Sequence, residues 1–136
     1  MSSRGKLMHT ERIKVQWGDM DAFGHVNNAA YFVYMQEARV AWFAAARLPM
    51  NDNHQGPVIV DAHCTFLRPI VYPADIVVEL RAGKPGRSSF PTFYDITLEG
   101  DPSVKFAEGN STVVWIDHMQ GKSVPLPEWL KQILQG

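Results

Sequence analysis

The sequence predicts an α+β fold in which one curved antiparallel sheet of about five strands wraps around a single long helix. Residues 27–48 are mostly apolar and contain neither glycine nor proline, which is typical of a long helix. Segments with the alternating pattern of strands follow between residues 57 and 116, separated by short turn sequences. Strands joined by short turns pair antiparallel, and a helix that is apolar around most of its circumference needs a sheet curled over it.

The length and composition fit a single domain over residues 1–136. With 46% hydrophobic and 20% charged residues, the chain can bury roughly two-thirds of the surface that it exposes when unfolded. Residues 1–10 are rich in polar side chains and are expected to form a flexible N-terminal tail.

Charge and hydropathy argue against several classes of function. The net charge is -1 and the basic residues are scattered, so we expect no nucleic-acid partner and no membrane partner. No apolar run approaches the roughly 20 residues of a membrane span, and the first residues lack the apolar core of a secretory signal. Cys64 is the single cysteine, which rules out an internal disulfide. A cytoplasmic protein is therefore expected.

Five segments have the period of a β-strand, in which apolar residues occupy alternate positions. They are residues 12–17, 57–67, 76–82, 90–98 and 104–116. The sequence Gly83–Gly86 predicts a hairpin turn, and Pro91 indicates an edge or a bulge because proline cannot donate to the ladder. A short closing helix is predicted to start at Pro127.

The long helix is predicted to begin at Asn27 or Asn28, since asparagine is a preferred N-cap residue, and to end near Leu48. At the angular step of an α-helix, its polar side is one narrow stripe. That stripe consists of Gln36, Arg39, Phe43 and Arg47. The remaining circumference is apolar, which predicts a helix covered by the sheet.

The turn before this helix carries the most informative motif. Residues 19–28 read DMDAFGHVNN, and Tyr31 and the sequence Glu37–Arg39 follow on the helix. This pattern resembles the hotdog-fold acyl-CoA thioesterases of the 4-hydroxybenzoyl-CoA thioesterase type. The likeness extends to residues 66–69, 86–89 and 113–117, and so covers nearly the whole chain. The resemblance implies hydrolysis of an acyl-CoA, with water as acceptor and no metal or redox cofactor.

Thioester hydrolysis needs a group that activates water or attacks the carbonyl, and donors for the oxyanion. In the family, an aspartate matching Asp21 acts as nucleophile or general base, and the sequence does not choose between these mechanisms. The first N–H groups of a helix have no intrahelical acceptor and carry the positive end of the dipole, so Asn28 is the candidate oxyanion donor. His25 is an acid, a substrate contact or a hydrogen-bonded turn residue, and these alternatives stay open. Turn capping is the alternative role for Asp21.

Several further polar residues and the cysteine are expected to be structural. Asp19 is expected to stabilise the turn, and Glu37, within the helix, is expected to be buried and paired with a cation or a backbone donor. Cys64 lies on the apolar side of its strand, which predicts a core thiol. Asp61 and His63 share a face, but without a third ligand at a suitable spacing a metal site is not expected.

The nucleotide part of CoA needs cations and donors for its phosphates. Arg87, Ser88 and Ser89, in a glycine-containing turn, are the candidate binding residues, with ordinary turn chemistry as the alternative. Arg68 is a weaker candidate because an arginine before a proline that ends a strand is often solvated.

The sequence leaves open the alternative functions, the acyl group and the size of the oligomer. The alternative functions are a non-catalytic module that binds acyl thioesters and a thioesterase acting on acyl carrier protein. The identity and length of the acyl group cannot be read from the sequence. A homodimer or homotetramer is expected, because one long helix covers only one side of an apolar sheet. A hydratase is disfavoured, since Asp21 and His25 lack the asparagine and proline of the hydratase motif.

Overall fold

The computed structural model describes residues 4–46 and 54–136 and confirms the predicted α+β fold. Its elements are β1 (Lys6–Lys14), a short 3-10 helix (Trp17–Asp19), α1 (Asn28–Ala45), β2 (Gln55–Phe66), β3 (Asp75–Ala82), β4 (Ser89–Leu98), β5 (Asp101–Asp117), β6 (Lys122–Ser123) and α2 (Glu128–Gln135). The strands form one antiparallel sheet in the order β1-β3-β4-β5-β2, with β6 paired to β5. Helix α1 packs against this sheet and positions the motif that precedes it.

The first strand begins earlier than the apolar alternation indicates. The flexible tail expected for residues 1–10 is wrong for residues 6–10, because Lys6 pairs with Ala82 and Thr10 with Glu79 on β3. Two features hide this strand in the sequence. It is an edge strand that accepts polar side chains on its exposed face, and a bulge between Leu7 and His9 interrupts the period.

Helix α1 is buried on one face. The buried residues are Tyr31, Tyr34, Met35, Ala38, Trp42 and Phe43. On the opposite face Val33 and Val40 are 49% and 48% exposed, so in the single chain the sheet covers one face of the helix and leaves apolar residues of the other face exposed. Phe43 leaves the predicted polar stripe because it packs toward the start of β2. Arg47 and the predicted helix end near Leu48 lie outside the described residues.

The middle of α1 approaches the sheet closely at Gly109 of β5. A Cβ atom at this position would collide with the sulfur of Met35, which is fully buried on α1. Glycine here therefore lets the helix sit directly on the strand.

Strand β2 lies at one edge of the sheet, and within the described part of the chain its outer side has no partner. Apolar side chains are exposed along this strand and just beyond it. They are Ile59, Val60, Phe66 and Leu67, which are 38–58% exposed. An exposed apolar edge strand favours pairing with another chain.

Two expectations about single side chains have different outcomes. Cys64 is buried, and this burial raises its pKa to about 11, as expected of a core thiol. The buried pair expected for Glu37 is wrong, because this carboxylate lies on the exposed face of α1. The angular step of the helix groups Glu37 with apolar residues, but in the single chain those residues are exposed as well.

Candidate active site

A tight turn between the 3-10 helix and α1 holds the polar residues of the motif. The Asp21 N–H donates to the His25 carbonyl at 3.0 Å, and the Gly24 N–H donates to the Asp21 carbonyl at 3.1 Å. Gly24 has φ +84°, a left-handed conformation that favours glycine. The Val26 N–H donates to the carbonyl of buried Ile70 at 2.8 Å, which fixes the turn against the loop after β2.

The Asp21 carboxylate accepts two hydrogen bonds within this turn. Its Oδ1 accepts from the Phe23 N–H at 2.9 Å, and its Oδ2 accepts from Asn27 Nδ2 at 3.4 Å. The side chain is only half-buried. Because each carboxylate oxygen has two lone pairs, both oxygens can still accept a further hydrogen bond. The geometry therefore combines the turn role with room for a water molecule or a substrate atom.

The start of α1 divides its tasks between two asparagines. Asn27 is the N-cap residue, and its Oδ1 accepts from the Ala29 N–H at 2.8 Å. Asn28 is the first helical residue. Within residues 4–46 and 54–136, its N–H donates to no protein acceptor. This N–H points out of the helix start, where the positive end of the dipole favours a developing negative charge.

His25 and Asn28 line a cleft of about 230 Å³ between the start of α1 and the end of β2. The other lining residues are Val26, Tyr31, Phe66, Leu67, Arg68 and Pro69. Tyr31 and Phe66 form an edge-to-face pair at 4.9 Å between ring centroids, which gives the cleft an aromatic wall. Asp21 is not among the lining residues, and its carboxylate hydrogen-bonds to Asn27, which directly precedes the lining residue Asn28.

Arg68 and Tyr31 line this cleft, although the sequence makes Arg68 only a weak candidate for CoA binding and gives Tyr31 no role. The Arg68 N–H donates to the Phe106 carbonyl at 3.1 Å, so the backbone of Arg68 is fixed at the rim while its side chain is exposed. In the sequence, the only indication that residues 66–69 belong to the site is their likeness to the family. The fold is what brings this segment to the start of α1.

Asp19 has the structural role that the sequence predicts. Its Oδ2 accepts from the Tyr34 hydroxyl at 2.8 Å and from the Gln16 N–H at 2.9 Å. Burial and the neighbouring Asp19 carboxylate raise the pKa of Tyr34 well above its ordinary range. Asp19 therefore ties the turn to the buried face of α1.

The predicted CoA-binding turn lies at the opposite end of the sheet from this cleft. The Trp115 N–H donates to the Ser88 carbonyl, whereas Arg68 is anchored on Phe106. The stretch of β5 between these anchors corresponds to about 30 Å in an extended strand. Within one chain, the structure does not bring Arg87, Ser88 and Ser89 to the cleft.

The described residues hold no group of three or more His, Cys, Asp or Glu side chains suited to a metal ion. His63 lies beside Thr65, with 3.3 Å between its Nε2 and the Thr65 hydroxyl.

Among the described helices, none is long and apolar enough to cross a membrane.

The fold and the polar turn at the start of α1 define a hotdog-fold thioester hydrolase. The chain belongs to the thioesterase-like superfamily, whose family model matches residues 15–134. The predicted family and the predicted class of enzyme are thereby confirmed.

Three solved structures illustrate the similarity. A proposed thioesterase from Pseudomonas aeruginosa is 42% identical, with a TM-score of 0.87 over 93% of this chain and 98% of that one. A proposed acyl-CoA thioesterase from Xanthomonas campestris is 41% identical, with a TM-score of 0.76 over 82% of this chain and 95% of that one. A thioesterase from Thermus thermophilus, complexed with coenzyme A and zinc, is 29% identical, with a TM-score of 0.79 over 95% of this chain and 93% of that one.

Proposed function

We propose that this protein hydrolyses an acyl-CoA thioester to the free acid and CoA. The observation that carries the proposal is the arrangement at the start of α1. There the Asn28 N–H has no protein acceptor within the described residues. The Asp21 carboxylate is held nearby by a hydrogen bond from Asn27, the residue before Asn28. The solved Thermus thermophilus relative contains CoA, which supports CoA as the carrier of the acyl group.

In the general-base form of the reaction, Asp21 takes a proton from water while the water oxygen attacks the thioester carbon. The Asn28 N–H donates to the carbonyl oxygen as it becomes negatively charged. The tetrahedral intermediate then expels the CoA sulfur as the C–S bond breaks, and the sulfur takes up the proton that Asp21 removed, which restores the carboxylate. The products are the carboxylic acid and the CoA thiol.

In the nucleophilic form, an Asp21 oxygen attacks the same carbon and CoA leaves to give a mixed anhydride, which water then hydrolyses. The oxyanion donor has the same task in both forms. His25 lines the cleft and is exposed, so it can contact the substrate in either form. His25 is thus assigned to substrate contact or to protonation of the leaving sulfur.

A homodimer would complete the CoA site. If the β2 strands of two copies pair about a twofold axis, they run antiparallel, and the start of one β2 lies beside the end of the other. The Arg87 turn of the second copy then lies three strand spacings, about 15 Å, from the cleft of the first. Arg87, Ser88 and Ser89 would there receive the CoA phosphates. A homotetramer would contain the same pair.

A non-catalytic binding module is the second candidate, and one observation favours it. Both Asp21 oxygens already accept hydrogen bonds in the turn, as in an aspartate that only stabilises a loop. Such a module would bind acyl-CoA and release no CoA. A preference for acyl carrier protein would appear as faster hydrolysis of the protein-bound thioester than of the CoA thioester.

The test is CoA release by Asp21→Asn. Asparagine keeps an oxygen for the Phe23 N–H and has nearly the same volume, so the turn should survive. Loss of the base should lower kcat by about 10²- to 10⁴-fold. Asp101→Asn is the matched control, because Asp101 accepts from the Ser103 N–H in a similar exposed turn. Equal rates for the Asp21 variant and the unsubstituted protein would overturn the role of Asp21, and binding without release by the unsubstituted protein would favour the binding module.

A further inference from the structure

A cluster of buried hydroxyl groups lies between α1 and the sheet, away from the turn described above. The Tyr94 hydroxyl is 2.8 Å from Thr92 Oγ1 and 3.0 Å from Ser111 Oγ. Thr92 and Ser111 also hydrogen-bond to each other across β4 and β5. Arg39 Nη1 donates to the Tyr94 hydroxyl at 3.1 Å, which brings a cation from α1 onto the cluster.

The charge of Arg39 is not balanced within the described residues. No carboxylate oxygen of residues 4–46 or 54–136 lies within 4.0 Å of its guanidinium. The side chain is half-buried, and the Tyr94 hydroxyl takes one of its five N–H donors. A partly desolvated guanidinium with free donors favours a carboxylate from outside the chain.

Arg39 opens onto a mainly apolar cleft of about 170 Å³ between α1 and the start of β2. The other lining residues are Val40, Phe43, Pro57, Val58, Ile59 and Val113. Apolar walls with one convergent charged group are the expected form of a site for an apolar chain with a polar end.

The Arg39 cleft and the Asn28 cleft lie along the same seam. Asn28 and Arg39 are eleven positions apart on α1, so they share a side of the helix at about 16 Å along its axis. On the sheet, Ala62 pairs with Ser111, and Ser111 pairs with Thr92. Directly opposed residues face the same way, yet Ser111 is buried and Ala62 is exposed, so α1 covers β5 here and leaves this part of β2 uncovered. The seam therefore leaves room between α1 and β2.

We infer that Arg39 binds a carboxylate at the far end of the acyl group, so that the substrate is a CoA thioester of a dicarboxylic acid. This inference rests on the proposed function, which places the thioester at Asn28. The apolar seam holds the methylene chain, and Arg39 with the Tyr94 hydroxyl holds the terminal carboxylate. A neutral acyl group of the same length would leave the guanidinium without its anion.

The test compares unreactive CoA thioethers whose alkyl chains end in a carboxylate or in a methyl group and are matched in length. Binding is measured by titration calorimetry, so it does not depend on turnover. At the chain length that fits, the carboxylate compound should bind at least about 10-fold more tightly than its methyl partner. Arg39→Gln should abolish this preference, and Arg39→Lys should retain part of it. Arg12→Gln is the matched control, since Arg12 is exposed and pairs with Glu99 at 3.6 Å.

Equal or weaker binding of the carboxylate compounds by the unsubstituted protein, at every chain length, would overturn the inference even if the Arg39 variants fail to fold. Hydrolysis separates it from the proposed function. If CoA is released from neutral acyl-CoA at a higher kcat/KM than from the matched dicarboxylic thioester, the inference is overturned but the thioesterase activity stands. If the carboxylate compounds bind selectively but no thioester is hydrolysed, the proposed thioesterase function is overturned and Arg39 is still an anion-binding residue.

Discussion

Asn27 links the candidate catalytic carboxylate to the helix that supplies the oxyanion donor. Its Nδ2 lies 3.4 Å from Asp21 Oδ2, and its Oδ1 accepts from the Ala29 N–H at 2.8 Å. One amide side chain therefore holds Asp21 and caps α1 at the same time. The two tasks need different ends of the amide, so substitutions can separate them.

The substitution Asn27→Asp should separate the positioning of Asp21 from the capping of α1. Aspartate caps a helix about as well as asparagine, so the free energy of unfolding should change by less than about 0.5 kcal/mol. The new carboxylate cannot donate to Asp21 and repels it, so kcat/KM should fall by about 10-fold or more. Urea unfolding and CoA release measure the two effects. Asn27→Ala should also lose about 0.5–2 kcal/mol of stability. Full activity of Asn27→Asp would show that this hydrogen bond does not position Asp21.

The parts of the fold that the sequence predicts are those whose pattern is local. The long apolar run of α1 and the alternating strands 57–67, 76–82 and 90–98 carry their own periods, and the structure contains them. The start of β1 is missed because an edge strand needs few apolar residues. The one-sided burial of α1 is missed because helix periodicity does not tell which apolar face a second chain would cover.

The candidate site follows the same division. Asp21, His25 and Asn28 occupy one turn, so their proximity is readable from the sequence. Arg68 reaches this cleft, and Arg87 does not, because the pairing of β5 with β2 and β4 sets both positions. Neither register is encoded in a local motif. The contact between Arg39 and Tyr94 likewise joins residues that are 55 positions apart.

Gly109→Ala should destabilise the fold by about 1–3 kcal/mol, because the new Cβ collides with the Met35 sulfur. The double variant with Met35→Ala tests this reason. If the collision is the cause, the loss in the double variant should be smaller than the sum of the two single losses by about 0.5–3 kcal/mol. Denaturant unfolding of all four proteins gives the coupling. Strict additivity would mean that Gly109 is needed for another reason.

Cys64 should make stability fall above pH 9. Burial raises its pKa from 9.0 to about 11. Between these values the folded thiol keeps a proton that the unfolded thiol loses, so the free energy of unfolding decreases as the pH rises. Comparing this protein with Cys64→Ala at about pH 8 and about pH 10 isolates the effect from other titrating groups. The difference between the two proteins should shrink or reverse at the higher pH, and an unchanged difference would contradict the burial of the thiol.

The composite CoA site of the proposed dimer can be tested by mixing two weakened variants, Asp21→Asn and Arg87→Gln. If each site takes Asp21 from one chain and Arg87 from the other, a mixed dimer contains one site with both changes and one intact site. Arg87→Gln alone should raise KM for acyl-CoA by about 10-fold through loss of a charged hydrogen bond to phosphate. Subunits are mixed in equal amounts after reversible unfolding, and release is measured at low acyl-CoA.

Random pairing makes half of the dimers mixed, so kcat/KM should recover to about a quarter of its original value. If Asp21 and Arg87 of the same chain formed one site, mixing would give only the average of the two variants. An acyl thioester of N-acetylcysteamine, which lacks the nucleotide, is the control substrate. Arg87→Gln should hydrolyse it normally, so mixing should then bring no gain beyond the average. Recovery with both substrates would assign Arg87 to the fold or to the dimer contact, and recovery with acyl-CoA alone places it on the CoA phosphates across the subunit boundary.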